Sequence, residues 1–214
     1  MTPDDLNVQL SQAPVVPLID EGDPQRAVAI TKALADGGLR VIEVVMRSTG
    51  ALSGMEAILR QRDDLTIGAG TVLTREQAET VIDRGAQFVV CPGLVDDVVR
   101  YCSDRGVPCL PGTMTAGEVQ RAYALGLRTV KFFPAGLAGG VPMLKALGSV
   151  FSEMRFMPTG GVGANNLSDY LALPQVVACG GSWLTPKDAV AKGDYEAISA
   201  LAAEAVSIAK SSRG

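Results

Sequence analysis

The chain has 214 residues, 47% of them apolar and 20% charged, with a formal net charge of −4 and no histidine. That length suits one domain spanning residues 1–214, large enough to bury a core without disulfide or metal support. The acidic balance excludes a nucleic-acid or anionic-membrane surface, which would need a basic patch, and the missing imidazole excludes Ser-His-Asp and Cys-His catalysis and His-ligated metals.

The segment before Pro14 reads as an extra N-terminal helix closing the bottom of a barrel. Short apolar, β-branched runs then recur at 15–19, 41–46, 66–71, 88–91, 108–110, 129–133, 155–157 and 176–179. Their spacing of roughly 20 to 27 residues is that of one strand plus one helix, and this alternation implies a parallel sheet. Eight such units predict a compact (β/α)8 barrel. Helix punctuation lies between them. Asp23 can cap a helix with Pro24 at its first position and Gly37-Gly38 at its end. Thr74 with Gln77 and Thr115 with Glu118 have capping-box spacing, with Gly85 and Gly126 at the C-terminal ends. Asp194 can open a last helix carrying Ile198, Leu201, Ala202, Ala205 and Ile208 on one face.

The start, Met1-Thr2-Pro3-Asp4-Asp5, is acidic, and no run approaches membrane-spanning length. Neither a signal peptide nor a transmembrane helix is expected, and the expected location is the cytoplasm. Cys91, Cys102, Cys109 and Cys179 form no C-x-x-C pair, as suits reduced thiols.

Lys131 carries the first chemical signal, because an amine stands inside Thr129-Val130-Lys131-Phe132-Phe133-Pro134, otherwise a buried strand. A buried amine must pair with an anion or give up its proton, and lysines that give it up serve as nucleophiles and Schiff-base formers. Glu43 repeats the anomaly within Val41-Ile42-Glu43-Val44-Val45-Met46-Arg47. Two readings stand: a structural ion pair, or a nucleophilic lysine with a proton-shuttling carboxylate. Arg47, at the mouth of its strand, suits bidentate capture of a carboxylate or is a plain surface residue.

Paired glycines follow the last two predicted strands, at Gly160-Gly161 and Gly180-Gly181. Barrels of this type often bind phosphate there through backbone N–H groups. Gly68-Ala69-Gly70-Thr71 lacks the dinucleotide spacing and reads as backbone approaching a ligand, with the Thr71 hydroxyl as a donor.

Taken together, Glu43-Val44-Val45-Met46-Arg47, Gly68-Ala69-Gly70-Thr71-Val72-Leu73, Cys91-Pro92-Gly93-Leu94, Lys131-Phe132-Phe133-Pro134-Ala135, Pro158-Thr159-Gly160-Gly161-Val162 and Gly180-Gly181-Ser182-Trp183-Leu184 are distinctive. From about Pro14 onward the chain resembles the class I 2-keto-3-deoxy-6-phosphogluconate aldolases. The resemblance implies a (β/α)8 barrel, a homotrimer, and cleavage of a phosphorylated 2-keto acid to pyruvate and glyceraldehyde 3-phosphate in the Entner–Doudoroff pathway. It implies no cofactor and no metal. Lys131 would form the Schiff base and Glu43 would be the general acid/base. Arg47 and Thr71 would hold the pyruvate carboxylate, with Pro92 and Phe133 as pocket walls. Thr159, Gly160, Gly161, Gly181 and Ser182 would contact the phosphate end and the sugar hydroxyls. Val45, where a threonine is common, and Gly136-Leu137-Ala138, in place of a more polar stretch, depart from the family pattern.

Other readings differ in class or substrate. A galactonate-phosphate aldolase shares the mechanism but tends to be apolar where this chain has Thr159, and a 4-hydroxy-2-oxoglutarate activity can coexist. A metal-dependent epimerase or other phosphate-binding barrel isomerase needs His or clustered carboxylate ligands, which this chain lacks. A non-catalytic phosphate-binding barrel needs no Lys131–Glu43 pair.

Overall fold

The computed structural model describes residues 1–213, so Gly214, the last residue of the predicted domain, lies outside the described residues. The strands are β1 (Val15–Ile19), β2 (Val41–Val45), β3 (Thr66–Gly70), β4 (Val89–Val90), β5 (Cys109–Leu110), β6 (Gly112–Thr113), β7 (Thr129–Phe132), β8 (Arg155–Pro158) and β9 (Cys179–Gly181). The helices are α1 (Pro3–Gln12), α2 (Pro24–Asp36), α3 (Ala51–Gln61), α4 (Arg75–Asp83), α5 (Asp96–Asp104), α6 (Ala116–Ala124), α7 (Gly140–Val150), α8 (Leu167–Leu171), α9 (Lys187–Lys192) and α10 (Tyr195–Arg213). Among the described residues no helix is long and apolar enough to cross a membrane.

Every strand pair is parallel. Six strands form a sheet in the order β5-β4-β3-β2-β1-β9, and three form a second in the order β6-β7-β8. Pro111, which has no N–H, separates β5 from β6, while its carbonyl accepts from Lys131 N at 2.9 Å. The run predicted at 108–110 gives β5, and Gly112–Thr113, not predicted as a strand, gives β6 in the other sheet. On the other side, bridges join Phe156 to Val176 and Thr159 to Gly180.

The end of the chain corrects one expected boundary. Of the run at 176–179, Val176 makes only a bridge and Cys179 alone enters the strand, which falls at Cys179–Gly181. Pairing of Val15 with Cys179, Val16 with Gly180 and Pro17 with Gly181 sets that position, overriding the poor strand propensity of Gly180-Gly181.

Caps explain where the helices begin. Asp23 accepts from Arg26 N and Pro24 takes the first turn of α2. Thr115 and Glu118 form a reciprocal capping box on α6. Thr74 accepts from Gln77 N, but the Gln77 carboxamide takes Leu73 N at 2.7 Å, so that expected box is displaced by one residue. Asp194 Oδ1 accepts from Ala197 N at the start of α10, whose buried face is Ile198, Ala202, Ala205 and Ala209; Leu201 and Ile208, expected there, are only half-buried.

Two apolar layers flank the strands, as period-2 alternation requires. On the helix side, Ile42, Val44, Val130 and Phe132 join the larger core. On the opposite side, Leu6 and Leu10 of α1 pack with Val16, Val41, Phe88, Val90, Leu110 and Met157. Glu43 and Lys131 alternate away from the helix-side residues, so both are directed into this second layer.

Candidate active site

Lys131 lies on β7 and Glu43 on β2, 5% and 0% exposed respectively, and Lys131 Nζ stands 3.5 Å from Glu43 Oε1. The lysine backbone is held by register with Gly112 on one side and Met157 on the other. Thr113 Oγ1 also donates to its carbonyl at 3.1 Å. The Phe133 ring lies beside the amine, with Nζ 5.3 Å from its centroid. Glu43 Oε2 is buried and has no hydrogen-bond partner among the described residues. The contact with Lys131 thus uses only Oε1 of the carboxylate.

Arg47 follows β2 after a turn made by Met46 N bonding to Gly70 O and Arg47 N to Val45 O. Its Nη1 meets Asp20 Oδ2 at 3.3 Å, leaving the rest of the guanidinium fork available. Arg47 and Ser182 share a cavity of about 510 Å³ with Leu18, Asp20, Val45 and Lys187. Lys131 and Glu43 are not among its lining residues. The structure thus brings Lys131, Glu43 and Phe133 together and places Arg47 and Ser182 on a separate cavity. Asp20 and Lys187 were missed by sequence reasoning. The signal for Asp20 was its place directly after β1, where a charged residue ends an apolar run.

Thr71 follows β3 with φ 59°, the left-handed region that a β-branched residue avoids. Such a conformation costs about 1–3 kcal/mol and persists only where the surroundings impose it. Thr71→Gly is therefore expected to raise stability by about 1 kcal/mol, a few degrees in Tm. If Thr71 holds the substrate carboxylate, as the resemblance implies, the same change should also weaken pyruvate capture, because the hydroxyl is lost. Thermal melts alongside the pyruvate dependence of borohydride inactivation check this. A lower Tm, or undiminished capture, would count against a functional strain.

Pro92 follows β4 and packs its carbonyl against β6, where a Cβ on Gly112 would lie 2.0 Å from it. Thr159 is buried just past β8, with its N–H donating to Phe132 O at 2.9 Å. Gly160 and Gly161 adopt φ 87° and 82°. Neither N–H donates to a protein acceptor among the described residues. Phe133 Cε2 would lie 3.3 Å from a Cβ on Gly160, so the ring and the glycine turn are in contact range. Gly181 is buried in β9, and Ser182 opens the 3-10 turn Ser182–Leu184. Two adjacent N–H groups without a protein acceptor suit an anion.

The expected approach of Gly68 and Gly70 to a ligand is corrected. The space in front of Gly68 holds the Phe88 ring and that in front of Gly70 holds the Glu43 carboxylate. The inward side of β3 is bare because neighbouring side chains fill it.

Hydrogen bonding with Cys109 lowers the Cys102 thiol, but that side chain is buried. Cys91, Cys102, Cys109 and Cys179 are free and buried, and burial pushes the Cys179 thiol well up. Hydrogen bonding from Cys102 and Cys91, with burial, raises Cys109 as well. Among the described residues no group of three His, Cys, Asp or Glu side chains is placed to hold a metal ion.

Comparison with known proteins follows the same lines. The family model for KDPG and KHG aldolases matches residues 6–201. The 2-dehydro-3-deoxy-phosphogluconate aldolase of Treponema pallidum is 43% identical over 199 residues, covering 93% of this chain and 95% of its own length. The crystal structure of the 2-keto-3-deoxy-6-phosphogluconate aldolase of Zymomonas mobilis with 3-phosphoglycerate superposes with a TM-score of 0.90. It is 37% identical and covers 95% of this chain and 96% of its own. The KDPG aldolase of Legionella pneumophila, with pyruvate captured as a covalent carbinolamine, gives a TM-score of 0.89. There the identity is 35%, and 92% of this chain and 96% of that one are covered. With so much of its length matched, the chain belongs to the KDPG and KHG aldolase family.

Proposed function

We propose that this chain is a class I aldolase that cleaves 2-keto-3-deoxy-6-phosphogluconate to pyruvate and glyceraldehyde 3-phosphate, with 4-hydroxy-2-oxoglutarate as a secondary substrate. The observation that carries the proposal is the buried Lys131–Glu43 pair at 3.5 Å in a chain of this family. The Lys131 amine adds to the C2 carbonyl, giving a carbinolamine. Glu43 protonates its hydroxyl, which leaves as water, and the product is an iminium. Removal of the C4 hydroxyl proton then breaks the C3–C4 bond, releasing the aldehyde and leaving the pyruvate enamine. Protonation at C3 and hydrolysis free pyruvate and the amine.

Arg47 and Thr71 take the pyruvate carboxylate, Pro92 and Phe133 wall the pocket, and Thr159, Gly160, Gly161, Gly181 and Ser182 receive the phosphate end and the hydroxyls. Supporting the phosphate assignment are the unbonded N–H groups of Gly160 and Gly161. Two charge-assisted hydrogen bonds at about 1.5–3 kcal/mol each correspond to a preference of about 10² to 10⁴ in kcat/KM. Comparing the phosphorylated gluconate substrate, its galactonate epimer, the unphosphorylated sugar acid and 4-hydroxy-2-oxoglutarate tests this directly. Equal rates with and without phosphate would remove the phosphate site, and preference for the galactonate epimer would move the chain to that related activity.

We also read residues 1–214 as one domain, a closed (β/α)8 barrel with α1 across its bottom, acting in the cytoplasm. The bridges Phe156–Val176 and Thr159–Gly180 and the β5–β6 step at Pro111 support closure, and the packing of Leu6 and Leu10 against strand residues supports the place of α1. A homotrimer is supported by exposed Leu73, Val95, Met114 and Leu137, on the loops after β3, β4, β6 and β7. Apolar groups on neighbouring loops suit contact with another copy. Sedimentation equilibrium is expected to give the mass of three chains, and a monomer at micromolar concentration would refute the assembly.

A further inference from the structure

We infer that Gly70 is a positioning residue for the acid–base carboxylate: the missing side chain at position 70 is the slot in which Glu43 is held beside Lys131. This rests on the role proposed above for Glu43.

Glu43 comes from β2 and Gly70 from the adjacent β3, where Val45 pairs with Gly70 and Glu43 with Gly68. A Cβ at position 70 would lie 2.0 Å from Glu43 Oε1 and 2.6 Å from both its Cδ and Cγ. Cβ atoms do not approach carboxyl atoms so closely, so any other residue displaces the carboxylate. The φ of Gly70 is not the reason for the glycine, since Gly70 is absent from the positive-φ residues. Space is the reason. The carboxylate has little room to move elsewhere, being fully buried between β2, β3 and Lys131.

Displacement acts on the oxygen that contacts Lys131. At 3.5 Å that contact is already at the limit of a hydrogen bond, so a shift of about 1 Å breaks it. Misplacing a catalytic group by about that distance can cost about 10²-fold in rate. Gly68 supplies the matched comparison on the same strand and face. A Cβ there would lie 2.4 Å from the Phe88 ring, whose atoms are its three nearest neighbours, in place of the Glu43 carboxyl atoms nearest to a Cβ at position 70.

The experiment compares Gly70→Ala, Gly68→Ala and Glu43→Gln, with kcat and KM normalised to folded protein. Gly70→Ala is expected to lose about 10²-fold or more in kcat, to change the pyruvate concentration needed for borohydride inactivation by less than threefold, and to alter the acid limb of the pH–rate profile. Gly68→Ala is expected to keep kcat within threefold. A Gly70→Ala enzyme that loses less than tenfold, or no more than Gly68→Ala, overturns the inference. If Glu43→Gln itself keeps its rate, the acid–base reading has failed instead. Should Gly70→Ala not fold, the same change is made together with Glu43→Ala, which empties the slot. That double variant is compared with Glu43→Ala alone, which by itself strands the Lys131 charge: equal folding of the two supports the inference, and a double variant that folds less well than Glu43→Ala overturns it.

Discussion

Replacing Lys131 with alanine is expected to abolish turnover and covalent pyruvate capture together, a loss on the order of 10⁴ to 10⁶ in kcat. Every step proposed for the reaction passes through an adduct on that nitrogen, so no neighbouring group can substitute for it. Alanine also leaves Glu43 buried without its cation, which costs about 3–5 kcal/mol and confounds the rate with folding. Lys131→Arg avoids this, because a guanidinium keeps the charge but is not deprotonated to a nucleophile. It should therefore stay folded and be as inactive as the alanine variant. Borohydride reduction of the unmodified enzyme with pyruvate should place the reduced pyruvyl group on the Lys131 peptide. Label found on Lys32 or Lys145, or nowhere, would remove the covalent role of Lys131.

Much of this site was legible because its charged members interrupt apolar strands. Lys131 and Glu43 stand out as charges inside runs whose other members are buried, and the side they face is settled by the packing of their neighbours. Paired glycines at 160–161 were equally visible, since residues without side chains leave free N–H groups where the chain turns. What stayed hidden depends on tertiary neighbours. Cys179-Gly180-Gly181 has no strand propensity of its own and becomes β9 only through pairing with β1. The left-handed conformation of Thr71 is foreign to a β-branched residue and is imposed by the surrounding fold. Asp20 reaches Arg47 across 27 positions of sequence, a contact no local pattern encodes. Gly70 was visible as a glycine, but its purpose depends on a carboxylate from another strand.

Glu43→Gln is expected to reduce kcat by about 10² to 10⁴ while pyruvate is still trapped slowly on Lys131. Glutamine keeps the volume and one acceptor oxygen, so packing over Gly70 is preserved. What it cannot do is take a proton and return it, which carbinolamine dehydration and C–C cleavage both require. A purely structural role for the pair predicts the reverse, a weakened fold with an undiminished rate per folded molecule. Stability alone does not distinguish the two, because losing a charge from a buried pair weakens the protein in either case. The rate normalised to folded enzyme does. A second measurement sharpens the contrast: Lys131→Met combined with Glu43→Leu replaces both charges with apolar groups of similar length. Buried ion pairs treated in this way are often neutral or stabilised by about 1–4 kcal/mol. The double variant is thus expected to melt no lower than the native chain and to be inactive. Such a result means that the pair is maintained for chemistry at the expense of stability, whereas a large fall in Tm would return it to a structural role.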